Sequence, residues 1–370
     1  MGSERLPAQQ SGIANELRCA RTFPRTKESA MTSQRISKIA AAVAFVVMGF
    51  MGPTAWGAAQ WANPDLLVDS NTVKNNIDKP DWVVVDCRDL DDYAEGHIPG
   101  AISFGQACSK VLRDATSRAF SDVTKYERLL GKAGIGNNTH VVFYYGDIKD
   151  ITNATVGFWI MEYLGHDKAH VLNGGLDAWR KAGNRLDNKP TIKPATTFKA
   201  NLAGSRNSPT DEILQIATGK EKGVQLIDSR TPKEYSGDDI RALRGGHVPN
   251  ATMNVSHTDT LAQEKNAKTG KMEAVGYLDP DAASKAFGSL DKNKRTVAYC
   301  QTGTRSTLTY LELRLMGFKD AANWDDSWRV YSAKEGAPVA DEQWYDFDKV
   351  NKTMKDLESR LTKLEAQQKK

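Results

Sequence analysis

The sequence predicts an α/β protein that folds one plan twice, each copy a mainly parallel sheet flanked by helices, with a separate C-terminal helix behind them. Three observations point there. Apolar strands ending in Asp-x-Arg occur twice, as Trp82-Val83-Val84-Val85-Asp86-Cys87-Arg88 and Val224-Gln225-Leu226-Ile227-Asp228-Ser229-Arg230. A turn motif follows each, Gly96-His97-Ile98-Pro99-Gly100-Ala101 and Gly246-His247-Val248-Pro249-Asn250-Ala251. Strands alternate with helical stretches through short Gly/Pro/Asp loops, the pattern of parallel α/β units.

Residues 1–58 are expected to lie outside the folded protein. Residues 1–30 read as an over-extended start. From Met31, Arg35 and Lys38 precede the apolar stretch Ile39 to Met51, and small residues at 55–59 offer a cleavage site, the plan of a removed export signal. The apolar stretch is short for a bilayer span, so no stable membrane segment is expected after cleavage. The leader holds seven Lys/Arg and three Asp/Glu, leaving 43 of each sign in the remainder. The net charge of +4 therefore belongs to the leader, and nucleic acid is not an expected partner.

The first copy is placed at 62–185, and a polar linker with Pro190 and Pro194 at 186–203. The second copy follows at 204–345, with about eight extra residues around Gly237 to Arg244. Val141 to Tyr145 answers Thr296 to Cys300, and Gly174-Gly175-Leu176-Asp177-Ala178-Trp179 answers Asn323-Trp324-Asp325-Asp326-Ser327-Trp328. In the tail, 346–370, the residues Val350, Met354, Leu357, Leu361 and Leu364 follow a 4-3-4-3 spacing. That is two short heptads, read either as a homodimer contact or as a helix lying on its own domain.

Cys300 opens the run Gln301-Thr302-Gly303-Thr304-Arg305 between a short buried strand and a helix. A thiol at such a turn faces the amides of its own loop and the positive end of the helix, which favour thiolate. Gly303 suits a tight curl, and Arg305 adds a cation. The Thr302 and Thr304 hydroxyls either donate to an oxyanion or are solvated. Asp228 and Arg230 are candidates to orient the loop, but Asp86 and Arg88 recur where there is no loop thiol, which favours a scaffolding role. His97 and His247 read likewise as turn-fixing. His140, His166, His170 and His257 form no metal-ligand grouping, so neither metal nor cofactor is expected. Cys87 and Cys108 stand close enough for a bond, but two separately buried thiols is the reading preferred here.

Together these motifs resemble the rhodanese family of sulfurtransferases in its tandem form, over nearly the whole chain after the leader. The resemblance implies that Cys300 takes a sulfane sulfur from a small donor, of thiosulfate or 3-mercaptopyruvate type, becomes a persulfide, and passes the sulfur to cyanide, a small thiol or a protein thiol. A non-catalytic sulfur or selenium carrier, or partner-binding protein, that loads Cys300 and delivers only to a partner is one alternative. An oxyanion phosphatase or arsenate reductase is another, but four residues rather than five separate Cys300 from Arg305, which narrows the cradle toward one sulfur atom. Two departures from the family pattern weaken the expectation of thiosulfate: Gln301 and Thr302 are neutral, and Glu234 stands where a basic residue is frequent. Tyr145 holds the cysteine-equivalent place in the first copy, which is read as catalytically silent and as one wall of an interdomain cleft.

Overall fold

A computed structural model describes residues 59–113 and 122–368. The leader read at 1–58 lies outside the described residues. The first copy runs β1 (Leu67–Val68), α1 (Ser70–Asn76), β2 (Trp82–Asp86), α2 (Leu90–Glu95), β3 (Ile102–Ser103), α3 (Cys108–Val111), α4 (Val123–Lys132), β4 (His140–Tyr144), α5 (Ile151–Tyr163), β5 (Ala169–Leu172) and α6 (Gly175–Lys181). Its strands pair in parallel in the order β1-β5-β4-β2-β3. Central strands β2 and β4 are continuous runs of β-branched and aromatic residues, as a sheet covered on both faces requires.

The second copy repeats the scheme with additions. It runs α7 (Thr210–Ala217), β6 (Gln225–Asp228), α8 (Pro232–Ser236), β7 (Arg244–His247), β8 (Met253–Asn254), β9 (Leu261–Lys265), β10 (Met272–Leu278), α9 (Pro280–Phe287), β11 (Thr296–Tyr299), α10 (Ser306–Leu315), β12 (Ala321–Asn323) and α11 (Ser327–Ser332). The parallel sheet has the order β12-β11-β6-β8. The additions are an antiparallel β9–β10 hairpin and a pairing of β7 with β13 (Ala340–Trp344), neither read from the sequence. The linker has little regular structure but is strapped to the first copy: Thr196 N–H donates to Gly131 O (2.9 Å) and Asn201 N–H to Leu164 O (2.9 Å).

Helices α5 and α10 join the copies. Both are buried almost all round, because each lies between its own sheet and the other helix. One hydrophobic cluster runs through both copies, from Val83 and Phe143 to Leu311 and Phe318. Polar contacts fix the register: Arg314 grips Glu162 through Nε and Nη2 (both 2.9 Å), Tyr310 donates to Glu162, and the Thr155 and Thr307 hydroxyls meet at 2.7 Å. Helix α10 starts at the residue after Arg305, so the helix behind the Cys300 loop rests on the first copy.

Helix α12 (Phe347–Gln368) is exposed along its described length. The alternative of a helix lying on its own domain is therefore corrected. Among the described residues no helix is long and apolar enough to cross a membrane.

The cysteine reading also changes. Cys87 and Cys108 are not separate thiols but a disulfide, Cα–Cα 4.7 Å, with the Cys108 N–H donating to Cys87 O (3.3 Å). The chain leaves the end of β2 and returns at the start of α3 beside it. The bond closes a separation of 21 residues, so reducing it is expected to cost about 3 kcal/mol of stability by restoring freedom to the unfolded chain. Urea unfolding midpoints with and without a dithiol, with Cys87→Ala/Cys108→Ala as control, measure this. Equal midpoints would refute it.

Glu312, on α10, is wholly buried beside Thr260, and burial pushes its carboxyl up to about 8 against the Thr260 hydroxyl. The folded state thus holds a proton that the unfolded chain releases near 4.5. The contribution of Glu312 to stability is therefore expected to fall progressively as pH rises from about 4.5 to about 8. Glu312→Gln should flatten that slope in denaturation series across the window. An unchanged slope would remove Glu312 as its cause.

Candidate functional site

The Cys300 loop is built from backbone outward. Each of its first five carbonyls is held from elsewhere. Cys300 O accepts from Trp328 N–H (3.1 Å), Gln301 O from Arg329 N–H (2.9 Å), and Gly303 O from Asn323 Nδ2 (3.0 Å). Thr302 O accepts from the Arg113 guanidinium, and Thr304 O from Thr307 N–H (3.2 Å) and its hydroxyl (2.7 Å). Carbonyls turned out leave N–H groups turned in, the arrangement of an anion nest. Gly303 allows the curl: its φ is +75°, and a Cβ there would lie 2.4 Å from Asp325 O.

Cys300 is free and fully buried. Burial pushes its thiol up, but the Arg305 charge, the Ser306 and Thr302 N–H groups and the Ser306 hydroxyl together bring it below the ordinary thiol value. The single Ser306 hydroxyl proton also has Asn323 Oδ1 at 2.6 Å, so the amides and the guanidinium are the steadier partners of the sulfur. Cys300 N–H donates to Ser327 Oγ (3.1 Å), fixing the start of the loop. Around the sulfur, Gln301, Thr302, Thr304 and Arg305 are half-buried and form the rim.

Arg305 is paired rather than free. Its Nη1 and Nη2 grip both oxygens of the buried Glu234 (2.8 and 2.7 Å). Burial pushes the Glu234 carboxyl up, but the Arg305 fork, the Thr231 N–H and the Arg241 charge hold it down at about 2. Glu234 is fixed by a capping box with Thr231 at the start of α8. His257 lies in the same field. Burial, then the Arg305 charge, lower it to about 4, so its ring is neutral at ordinary pH.

The other sequence candidates take clear places. Gln301 Nε2 donates to Arg241 O (3.0 Å), and the Thr304 hydroxyl accepts from Arg113. Asp228 and Arg230 form a buried two-point pair, with Arg230 Nη2 reaching Gly246 O (2.8 Å). Asp86, Arg88 and Gly96 O repeat that geometry in the other copy (2.8 Å to Gly96 O). His97 and His247 stack on Tyr93 and Tyr235, with Nδ1 beside the Tyr93 and Tyr235 carbonyls. These groups hold the shared scaffold and do not touch the sulfur. Among the described residues no three His, Cys, Asp or Glu gather as a metal site.

In the first copy the cysteine-equivalent Tyr145 is plugged. Its hydroxyl donates to Gly276 O of the β9–β10 hairpin and accepts from Gly174 N–H (3.0 Å). Arg113 is the functional candidate that sequence reading missed. It stands just past α3, far along the chain from Cys300, and bonds Thr302 O, the Thr304 hydroxyl and Asp325 (2.7 Å). No spacing within either repeat marks it. A cavity of about 610 Å³ lies elsewhere, lined by Lys74, Ile77, Trp179 and Arg185. It contains no residue of the Cys300 loop, and loop chemistry rather than cavity size marks the candidate active site.

Known proteins share this fold. A family model described as a rhodanese-like domain matches residues 69–182 and again 211–334. The "Putative thiosulfate sulfurtransferase 1" of Mycobacterium bovis is 31% identical over 289 residues, covering 75% of this chain and 98% of that protein. The thiosulfate sulfurtransferase of Corynebacterium glutamicum is 30% identical over 292 residues, covering 76% and 92%. Among solved structures, the 3-mercaptopyruvate sulfotransferase SseA of Escherichia coli aligns with a TM-score of 0.57 at 21% identity, over 71% of this chain and 98% of that one. An anaerobic ergothioneine biosynthesis enzyme of Chlorobium limicola aligns with a TM-score of 0.64 at 20% identity, over 75% and 71%. With both copies matched and relatives aligned end to end, the chain belongs to the rhodanese-like family in its tandem two-domain form.

Proposed function

We propose that the protein is a sulfurtransferase that carries sulfane sulfur on Cys300. The single observation behind this reading is a buried free thiol at the focus of inward amides, with its acidity raised by Arg305. The Cys300 thiolate attacks the outer sulfur of the donor. The new S–S bond forms as the donor's bond to that sulfur breaks, and the donor leaves with the electron pair as sulfite or as the enolate of pyruvate. An acceptor thiolate or cyanide then attacks the outer sulfur and returns the thiolate. The loop amides stabilise the persulfide anion between the two steps. Glu234 occupies the Arg305 fork, so that guanidinium has no free two-point edge with which to grip a dianion, which favours a monoanionic donor of 3-mercaptopyruvate type over thiosulfate.

Export is part of the proposal. It draws on the basic and apolar run from Met31, and the Cys87–Cys108 disulfide supports an oxidising compartment. We also propose that α12 joins two copies. Val350, Met354, Leu357, Leu361 and Leu364 form a stripe between 37% and 58% exposed. In a parallel pairing Arg360 stands opposite Glu365 of the second copy, so charge favours a like partner.

Intact mass after incubation with thiosulfate or 3-mercaptopyruvate tests the chemistry. One added sulfur, removed by cyanide and absent from Cys300→Ala, is the expected result, with faster loading by the monoanion. No added sulfur from any sulfane donor would sink the reading, and stable loading without turnover on small acceptors would favour the carrier. Light scattering of the full chain and of a 350–370 deletion tests the pairing. The expected masses are a dimer and a monomer, and a monomeric full chain would end it.

A further inference from the structure

We infer that Arg113, in the otherwise silent first copy, is a positioning residue for the Cys300 loop. Four of the five outward loop carbonyls are held by groups of the second copy, namely Trp328, Arg329, Asn323 and Thr307. The fifth, Thr302 O, is held by the Arg113 guanidinium, which also bonds the Thr304 hydroxyl and pairs with Asp325 at 2.7 Å. One planar group thus spans both sides of Gly303, the residue with φ +75° where the loop turns.

The consequence is electrostatic. If the peptide after Thr302 rotated, its carbonyl dipole would turn toward the sulfur and oppose the thiolate that the Thr302 and Ser306 N–H groups favour. A guanidinium bound to that carbonyl and to Asp325 resists the rotation. Arg113 is itself well anchored. Leu112 before it is buried and its carbonyl accepts from Tyr126 Oη (2.8 Å), while the disulfide to Cys87 holds the start of α3. The Arg113 side chain is 9% exposed. The first copy therefore reaches the Cys300 loop through this side chain, in addition to supporting α10.

This inference deepens the sulfur-transfer reading, and one arm of its test stands apart from that reading. The pH dependence of Cys300 alkylation by iodoacetamide is measured in wild type and Arg113→Ala, with turnover on 3-mercaptopyruvate and thermal melting alongside. The expected result is an alkylation midpoint raised by about half a pH unit or more, with turnover lower by about ten- to hundredfold. Millimolar guanidinium, far below denaturing levels, should restore both, which a general packing defect would not allow. Arg113→Lys keeps a charge beside Asp325 but cannot bridge three acceptors, so it should shift the midpoint in the same direction, and it supplies the reading if the alanine variant does not fold. A wild-type midpoint in either folded variant, or loss that guanidinium does not restore, would overturn the inference. Absence of turnover in the wild type would count against sulfur transfer, while the alkylation midpoint would still decide the role of Arg113.

Discussion

The site depends on one constraint: every loop carbonyl from Cys300 to Thr304 is tied away from the sulfur. A buried thiol by itself resists ionisation, and desolvation is the largest influence on Cys300. Inward amides and a nearby guanidinium reverse that balance only while the peptide planes keep their orientation. The fold serves this constraint at every level. Strand β11 delivers the cysteine, α11 and β12 supply donors to the carbonyls, and α10 carries the loop's far end.

The two copies show how little separates a loop that carries a free thiol from one that carries none. Asp-x-Arg pairs, His–Tyr stacks and parallel strands are alike in both, because they hold the same turn against the same sheet. The difference lies at the residue after the central strand. Tyr145 is held through its hydroxyl by Gly174 N–H and by Gly276 O of the second copy's hairpin, whereas Cys300 is a free thiol facing the amides of its own loop. In exchange, the first copy contributes the α5 platform and Arg113.

Charge near the loop is closely balanced. Arg305 is matched by Glu234, Arg230 by Asp228, and Arg113 by Asp325. Fixed, paired guanidinium groups orient and polarise without presenting a strong net field. That balance is why a small, singly charged sulfur, rather than a highly charged oxyanion, is the occupant proposed for the loop.

Much of this was legible in the chain. The strand at Thr296–Tyr299, the loop from Cys300 to Arg305 and the duplicated Asp-x-Arg turns depend on local pattern, since periodicity and turn chemistry act over a few residues. The β9–β10 hairpin was missed because β9 is charged and largely exposed and the half-buried run of β10 does not alternate between buried and exposed positions. Arg113 above Gly303, Glu234 in the Arg305 fork, the Cys87–Cys108 bond and the packing of α5 on α10 were decided only by tertiary structure. Each joins residues that sequence distance leaves independent, and an ion pair or disulfide carries no periodic signal of its partner. The sequence by itself determined a twice-repeated α/β scaffold and a loop able to hold a thiolate. The assembled fold determined which distant groups keep that loop's carbonyls turned outward, because the direction of a peptide dipole is set by what stands next to it in space.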